Sequence, residues 1–442
     1  MQLKIRLIIM NFLQFAIWGA YLTCMGTFLF NHGLGRNIGI FYSIQGIVSI
    51  FMPALIGIVA DKWIPAQRML GISHGIAGAA MIAAGLYGLN AGDAVQFGPL
   101  FTLYTIGVAF YMPTLALSNS VAYNALEKAG MDTVKTFPSI RVFGTIGFIV
   151  TMWIVDLLGF QSSAAQFVVS GGIGLALALY AFTLPHCPVS QSTEKKSIVE
   201  ALGLKAFTLF KDPKMAVFFI FSMLLGVSLQ ITNGFANPFL SSFKHIPEYA
   251  DTFGVQHANI LISLSQISET LCILLIPFFM KRFGIKKVML IAMFAWVLRF
   301  AFFGMGNPGN GVWLFVLSCI VYGVAFDFFN ISGSLFVDRE TNSDIRSSAQ
   351  GLFMLMTNGI GATIGTLSAQ FVVNRFVFSK LHAAGAREAM TEAAKEALAM
   401  DVWHGWQTSW YIFAAYACIV AVTFIFAFKY KPEEELSLKK QE

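Results

Sequence analysis

A few short stretches of the sequence set groups capable of chemistry at helical spacing. Arg141, Thr145 and Phe148 follow one another at i, i+4 and i+7. Gln230 and Asn233 stand at i, i+3, and so do Gln266 and Glu269. Tyr322, Phe326 and Asn330 recur at every fourth position, with Asp327 beside them. Wound as helices, each set presents one face. The amides donate and accept, the guanidinium donates, a carboxyl accepts or exchanges a proton, and the rings offer π faces. That is equipment for holding a ligand. No nucleophile–base pair, metal-ligand cluster or phosphate loop accompanies it, so neither an enzyme nor a resident metal or cofactor is expected. Cys24, Cys187, Cys272, Cys319 and Cys418 form no close pair and no metal spacing, and read as isolated small hydrophobes.

These groups stand out because their surroundings are so apolar. Charged residues are 12% of the 442 and hydrophobic ones 57%; the first figure is about half the usual share. With a mean hydropathy of +0.69, so much apolar surface cannot be hidden inside a water-soluble chain of this length, and the solvent must itself be lipid. A bilayer core takes ~20 apolar residues per helical crossing. Unpaired backbone is excluded there, which leaves helices or a closed barrel. The apolar runs are long and lack a period of two, which selects helices. Ionisable and amide groups are expensive at that depth, so the sets above should face a bundle interior or a wet cavity. Blander readings exist for each. Amides can glue helices together, an aromatic stripe can pack, and Arg141, one turn after Pro138, can snorkel. Asn11, Gln14, Trp18 and Tyr21 form a stripe that suits packing and cavity lining equally. Arg299, near the outer end of its segment, reads as a snorkelling residue or a structural partner.

The elements that must position these residues are apolar segments near 7–30, 38–60, 69–90, 97–124, 138–160, 164–185, 215–241, 257–280, 287–305, 312–335, 349–374 and 407–429. They make twelve expected crossings of an all-α membrane protein. The hydrophilic break at 186–214, with Lys195, Lys196, Lys205, Lys211 and Lys214, divides them evenly. The expected organisation is therefore a six-helix bundle over 1–185, a cytoplasmic loop over 186–214 and a second six-helix bundle over 215–442. Lys4 and Arg6 precede the first segment with no cleavage site after it, which reads as a retained span. With both termini inside, Lys62, Arg68, Lys128, Lys135, Lys281, Arg282, Lys286, Lys287, Arg339 and Arg346 join the central lysines on the cytoplasmic side. The other side holds Arg36, Lys244 and four basic residues, Arg375, Lys380, Arg387 and Lys395, in a longer loop near 375–406. This is the positive-inside bias. The longer loop is rich in Ala and Glu and is expected to form a short helix outside the membrane. The basic residues lie in short loops, with no basic stripe of the kind that binds nucleic acid.

The halves echo each other. GIVADKWIPAQR follows the second segment, and PFFMKRFGIKK follows the eighth, the second of its own half. Duplicated six-helix halves describe the major facilitator architecture, and the Gly57-x-x-x-Asp61-Lys62 core resembles that superfamily's loop motif. If the polar faces line one cavity, they suit a neutral, planar ligand with a hydroxylated appendage. A nucleoside fits, and some sugars would; an anion would call for more cations than Arg141. A carboxyl removed from water gives up its charge more readily, so Glu269 or Asp327 could carry a coupling proton. A sugar or drug transporter coupled to protons, or a transporter-like receptor, remains as an alternative on the residues alone.

The stretches FPSIRVFGTIGF (137–148), FFIFSMLLGVSLQITN (218–233), QISETLCILLIPFF (266–279), AWVLRFAFF (295–303), VYGVAFDFFNISGSLFV (321–337) and SSAQGLFMLMTNG (347–359) are similar to the bacterial nucleoside–proton symporter family. FLQFAIWG (12–19), MPALIGIVADKW (52–63) and YMPTLALSNS (111–120) extend the likeness over nearly the whole chain. The resemblance implies a major facilitator fold in the bacterial inner membrane. It also implies uptake of purine and pyrimidine nucleosides, such as uridine and adenosine, with protons. It maps ligand contacts onto Arg141, Thr145, Phe148, Gln230, Asn233, Gln266, Glu269, Tyr322 and Phe326, and proton coupling onto Asp327 or Glu269.

Overall fold

A computed structural model describes residues 2–188, 204–341, 345–384 and 390–430. Most of the expected central loop (189–203), part of the longer loop (385–389) and the last residues (431–442) lie outside that set. Every regular element among the described residues is helical, and each expected apolar segment falls on helix. Nine helical runs among them are long and apolar enough to cross a membrane.

Helix starts follow from local chemistry. Asp132 accepts the Lys135 N–H ahead of Thr133–Leu157. Asp212 accepts the Lys214 N–H ahead of Pro213–Leu229, whose first position is proline. Thr391 accepts the Ala394 N–H ahead of Glu392–Ala427. In each case a side-chain oxygen satisfies a donor that the helix leaves orphaned.

Four apolar segments and the longer loop depart from the sequence expectation. The first is broken by a turn at 20–24, between Gln2–Gly19 and Met25–Asn31. The seventh pauses at Gln230, between Pro213–Leu229 and Ile231–Ser242. The eighth and ninth run on without a loop, through a 3-10 turn at Ile273–Leu275 and a kink at Gly284, whose φ of 77° is open to glycine at little steric cost. The Ala/Glu-rich stretch makes no separate outer helix from Glu392 onward. It is the beginning of the last helix, whose 36 residues span about 54 Å against a bilayer core of about 30 Å. Alanine and glutamate are good helix formers, so nothing stops the helix at the lipid boundary.

The chain forms two compact units. One comprises Met1–Leu202 with 233–238 and 257–260; the other comprises Gly203–Thr232, Phe239–Gln256 and Leu261–Glu442. In the first, Gln2–Gly19 packs closely on Thr133–Leu157. A Cβ at Gly147 would strike the Phe12 carbonyl, and one at Gly19 the Phe148 carbonyl. In the second, Pro213–Leu229 packs as closely on 355–365, where Gly226 faces Thr357 and Gly365 faces Val227. Such small-residue contacts let membrane helices approach without a hydrophobic driving force.

Candidate functional site

In the first unit the Gly144 and Gly147 contacts fix the helix that carries Arg141, Thr145 and Phe148. A Cβ at Gly144 would meet the Phe15 ring at 2.6 Å. The Arg141 guanidinium lies over that ring, 3.8 Å from its centroid, so the first helix supplies its cation–π partner. Arg141 and Thr145 are half-buried and Phe148 is buried. Asn233, also half-buried, belongs to this unit, whereas Gln230 belongs to the other. Gln230 therefore sits at the pause and Asn233 in the helix after it, rather than the two sharing an uninterrupted face.

The stripe on the first helix serves packing. Gln14 donates to the Thr114 hydroxyl at 2.7 Å, and its carbonyl oxygen lies 2.8 Å from His74 Nε2. That oxygen can only accept, which assigns the imidazole proton to Nε2. Tyr111 donates to the Gln14 backbone carbonyl, and Asn11 to that of Leu7. Trp18 donates to Gln45, which donates to the Tyr104 hydroxyl. Asn11, Gln14 and Tyr21 are buried; these bonds satisfy both polar groups of the Gln14 side chain and the Asn11 amide nitrogen, while Asn11 Oδ1 has no donor among the described residues.

The second unit brings most of the remaining sequence-predicted residues together. The Tyr322 and Phe326 rings stack with centroids 5.6 Å apart and planes 16° apart. Trp296 meets Tyr322 edge-on at 5.9 Å. Ser268 donates to the Ile320 carbonyl, and a Cβ at Gly323 would strike the Ser268 carbonyl, so the helix carrying Gln266 and Glu269 packs directly on the one carrying Tyr322, Phe326 and Asp327. Glu269 and Asp327 act directly on each other. Asp327 is buried, and its Oδ2 has no hydrogen-bond donor among the described residues. A stacked ring pair, an amide and two neighbouring carboxyls thus occupy one locality on Ala258–Cys272 and Val312–Glu340.

Arg299 was expected to snorkel or to make a structural pair, and the structure buries it. It is 2% exposed. Its guanidinium carbon lies 4.4 Å from the Tyr322 ring centroid. Nη1 donates to the Ser318 carbonyl at 2.8 Å and to the Ser265 hydroxyl at 3.2 Å, and Nη2 donates to Thr232 at 3.2 Å. The only hint in the sequence was a cation within an apolar run.

A chain of long apolar helices with polar groups gathered inside them is a membrane transporter, and its fold is that of the major facilitator carriers. A family model for the nucleoside H+ symporters matches residues 1–433, and the chain belongs to that family. It is 46% identical over 438 residues to the xanthosine permease of Escherichia coli (strain K12), covering 98% of each chain. It is 47% identical over 434 residues to the nucleoside permease NupG of the same organism, covering 98% of this chain and 97% of that one. The crystal structure of a point mutant of nucleoside transporter NupG superposes with a TM-score of 0.86 at 46% identity, covering 97% of this chain and all of that one. These relatives are permeases, and the chain is a transporter rather than an enzyme.

Proposed function

We propose that the chain carries purine and pyrimidine nucleosides, uridine and adenosine among them, into the cell together with protons. It does so across the bacterial inner membrane by alternating access of two six-helix halves, 1–185 and 215–442, joined by the loop 186–214. The observation that carries this reading is the grouping of the Tyr322–Phe326 ring pair with Gln266, Glu269 and Asp327. The rings offer a face to a planar base, and the amide and carboxyl suit base edges and ribose hydroxyls. Arg141, Thr145, Phe148, Gln230 and Asn233 complete the binding set. The pause in the helix at Gln230 supports it, since interrupted helices are a recurrent way for carriers to free backbone groups for a substrate. Family membership and the permease relatives support it too.

Proton coupling follows from the acid pair. Two like charges close together in a low-dielectric site repel strongly. One proton taken up by Asp327, or shared with Glu269, removes that repulsion and changes which conformations are cheap. Asp327 is assigned the coupling role and Glu269 both a ligand contact and a share of the proton. The test is uridine uptake into proteoliposomes under an imposed pH gradient, with competition by a panel that includes adenosine and xanthosine. Uptake indifferent to the gradient removes the coupling, and absence of saturable nucleoside binding removes the substrate assignment.

A further inference from the structure

The acceptors of Arg299 come from separate parts of the second unit, and each stands close in sequence to a residue of the proposed binding set. Thr232 lies between Gln230 and Asn233, Ser265 precedes Gln266, and Ser318 lies one turn before Tyr322. Ser318 also returns a hydrogen bond to the Arg299 carbonyl at 2.8 Å. One planar fork therefore ties Ile231–Ser242, Ala258–Cys272 and Val312–Glu340 together while its face covers the Tyr322 ring. Only arginine offers several donors in one rigid plane that also stacks on an aromatic.

No carboxylate pairs with Arg299 among the described residues. Glu269 and Asp327 lie in the same unit, on the helices that carry Gln266 and Tyr322. A shape-matched apolar side chain commonly serves a core as well as a buried ion or better, so stability alone is a poor reason for an arginine here. An ionisable group at membrane depth marks function by default.

We propose that Arg299 is a positioning residue for nucleoside recognition: it holds the Tyr322 ring, and through Ser265 the segment bearing Gln266, in the arrangement that receives the ligand. It does not touch the ligand. The inference rests on the nucleoside reading of the site.

The test is a double-mutant cycle on the purified full-length protein, read by equilibrium binding of radiolabelled uridine, with thermal midpoints measured alongside. Arg299→Met should weaken uridine binding about tenfold, and in a Tyr322→Ala background by less than about threefold, because its effect passes through that ring. Arg299→Lys keeps a cation over the ring but loses the fork, and should recover part of the affinity. Should Arg299→Met fail to fold, the same cycle run with Arg299→Lys should still show a loss that shrinks in the Tyr322→Ala background. Wild-type affinity in Arg299→Met overturns the proposal, as does an equal loss in both backgrounds, which would mark a general structural role. If the unmodified protein binds no uridine, the nucleoside reading itself falls and takes this inference with it.

Discussion

The Nδ1 atom of His257 lies 2.6 Å from one carboxylate oxygen of Asp156, and the other oxygen of Asp156 accepts the backbone N–H groups of Asn259 and Ile260 at 3.1 and 3.2 Å. An aspartate near the end of Thr133–Leu157 therefore caps the start of Ala258–Cys272, about 100 residues away in sequence. The Asn259 side chain extends the junction. It donates to the Met152 carbonyl at 3.0 Å and accepts from the Thr23 hydroxyl at 2.5 Å. The Asp156 side chain is wholly shielded from solvent. Helix N-termini favour negative charge, and their first N–H groups are orphaned without a cap.

Asp156→Ala should consequently destabilise the protein by about 1–3 kcal/mol, the cost of leaving buried donors unpaired. Asp156→Asn retains one acceptor oxygen and should lose less. Thermal unfolding in detergent orders the three proteins: wild type highest, the asparagine variant next, the alanine variant lowest. An alanine variant as heat-stable as wild type would show that the cap contributes nothing.

Asp327→Asn should abolish accumulation of uridine against its gradient while exchange of uridine across the membrane survives. The amide keeps the shape of the carboxyl but cannot cycle a proton, and it also relieves the repulsion with Glu269. Proteoliposome uptake with and without a pH gradient, beside counterflow exchange, separates the two activities. If this variant still concentrates uridine, the coupling proton is carried elsewhere.

What the sequence revealed and what it concealed divide on physical lines. Apolar runs announce membrane helices because lipid punishes exposed backbone wherever the helix happens to pack. The i, i+3 and i, i+4 spacings of Gln266, Glu269, Tyr322 and Phe326 are local, and the structure gathers these residues in one unit. For Arg299 the sequence leaves snorkelling and structural pairing open; the structure selects pairing, and its partners lie 19, 34 and 67 positions away, beyond any local rule that distinguishes a snorkelling arginine from a buried one. Asp156 drew no notice for the same reason. Gln14 could not be settled between packing and lining until His74 and Thr114 were found on it. The Ala/Glu-rich stretch is helical from Glu392, as its composition implies, but it runs on into the last helix, because composition reports helix propensity and not where a helix ends or which neighbour it joins.

Phe326→Ala removes a ring from the stacked pair, and Gln266→Ala removes the amide proposed to hydrogen-bond the ligand. Each should weaken uridine binding by about 1–3 kcal/mol, which is roughly five- to 150-fold in Kd. Equilibrium binding to purified protein is the direct measurement. Affinity unchanged in both variants would move the site away from this face of Val312–Glu340.

Gly147 tests whether the first unit's packing matters to ligand binding. A larger side chain there would strike the Phe12 carbonyl. Gln2–Gly19 would have to shift, taking Phe15 from beneath the Arg141 guanidinium. Gly147→Leu should therefore lower both the thermal midpoint and the affinity for uridine, although it touches no proposed ligand contact. Gly172 is the control: it is exposed, and nothing lies within 4 Å of a Cβ built there. Gly172→Ala gains about 1 kcal/mol of helix propensity and should leave binding unchanged. Thermal unfolding and uridine titration of both variants decide the matter. A leucine at position 147 that leaves both quantities at wild-type values would mean that the close approach of these two helices does not set the geometry around Arg141, Thr145 and Phe148.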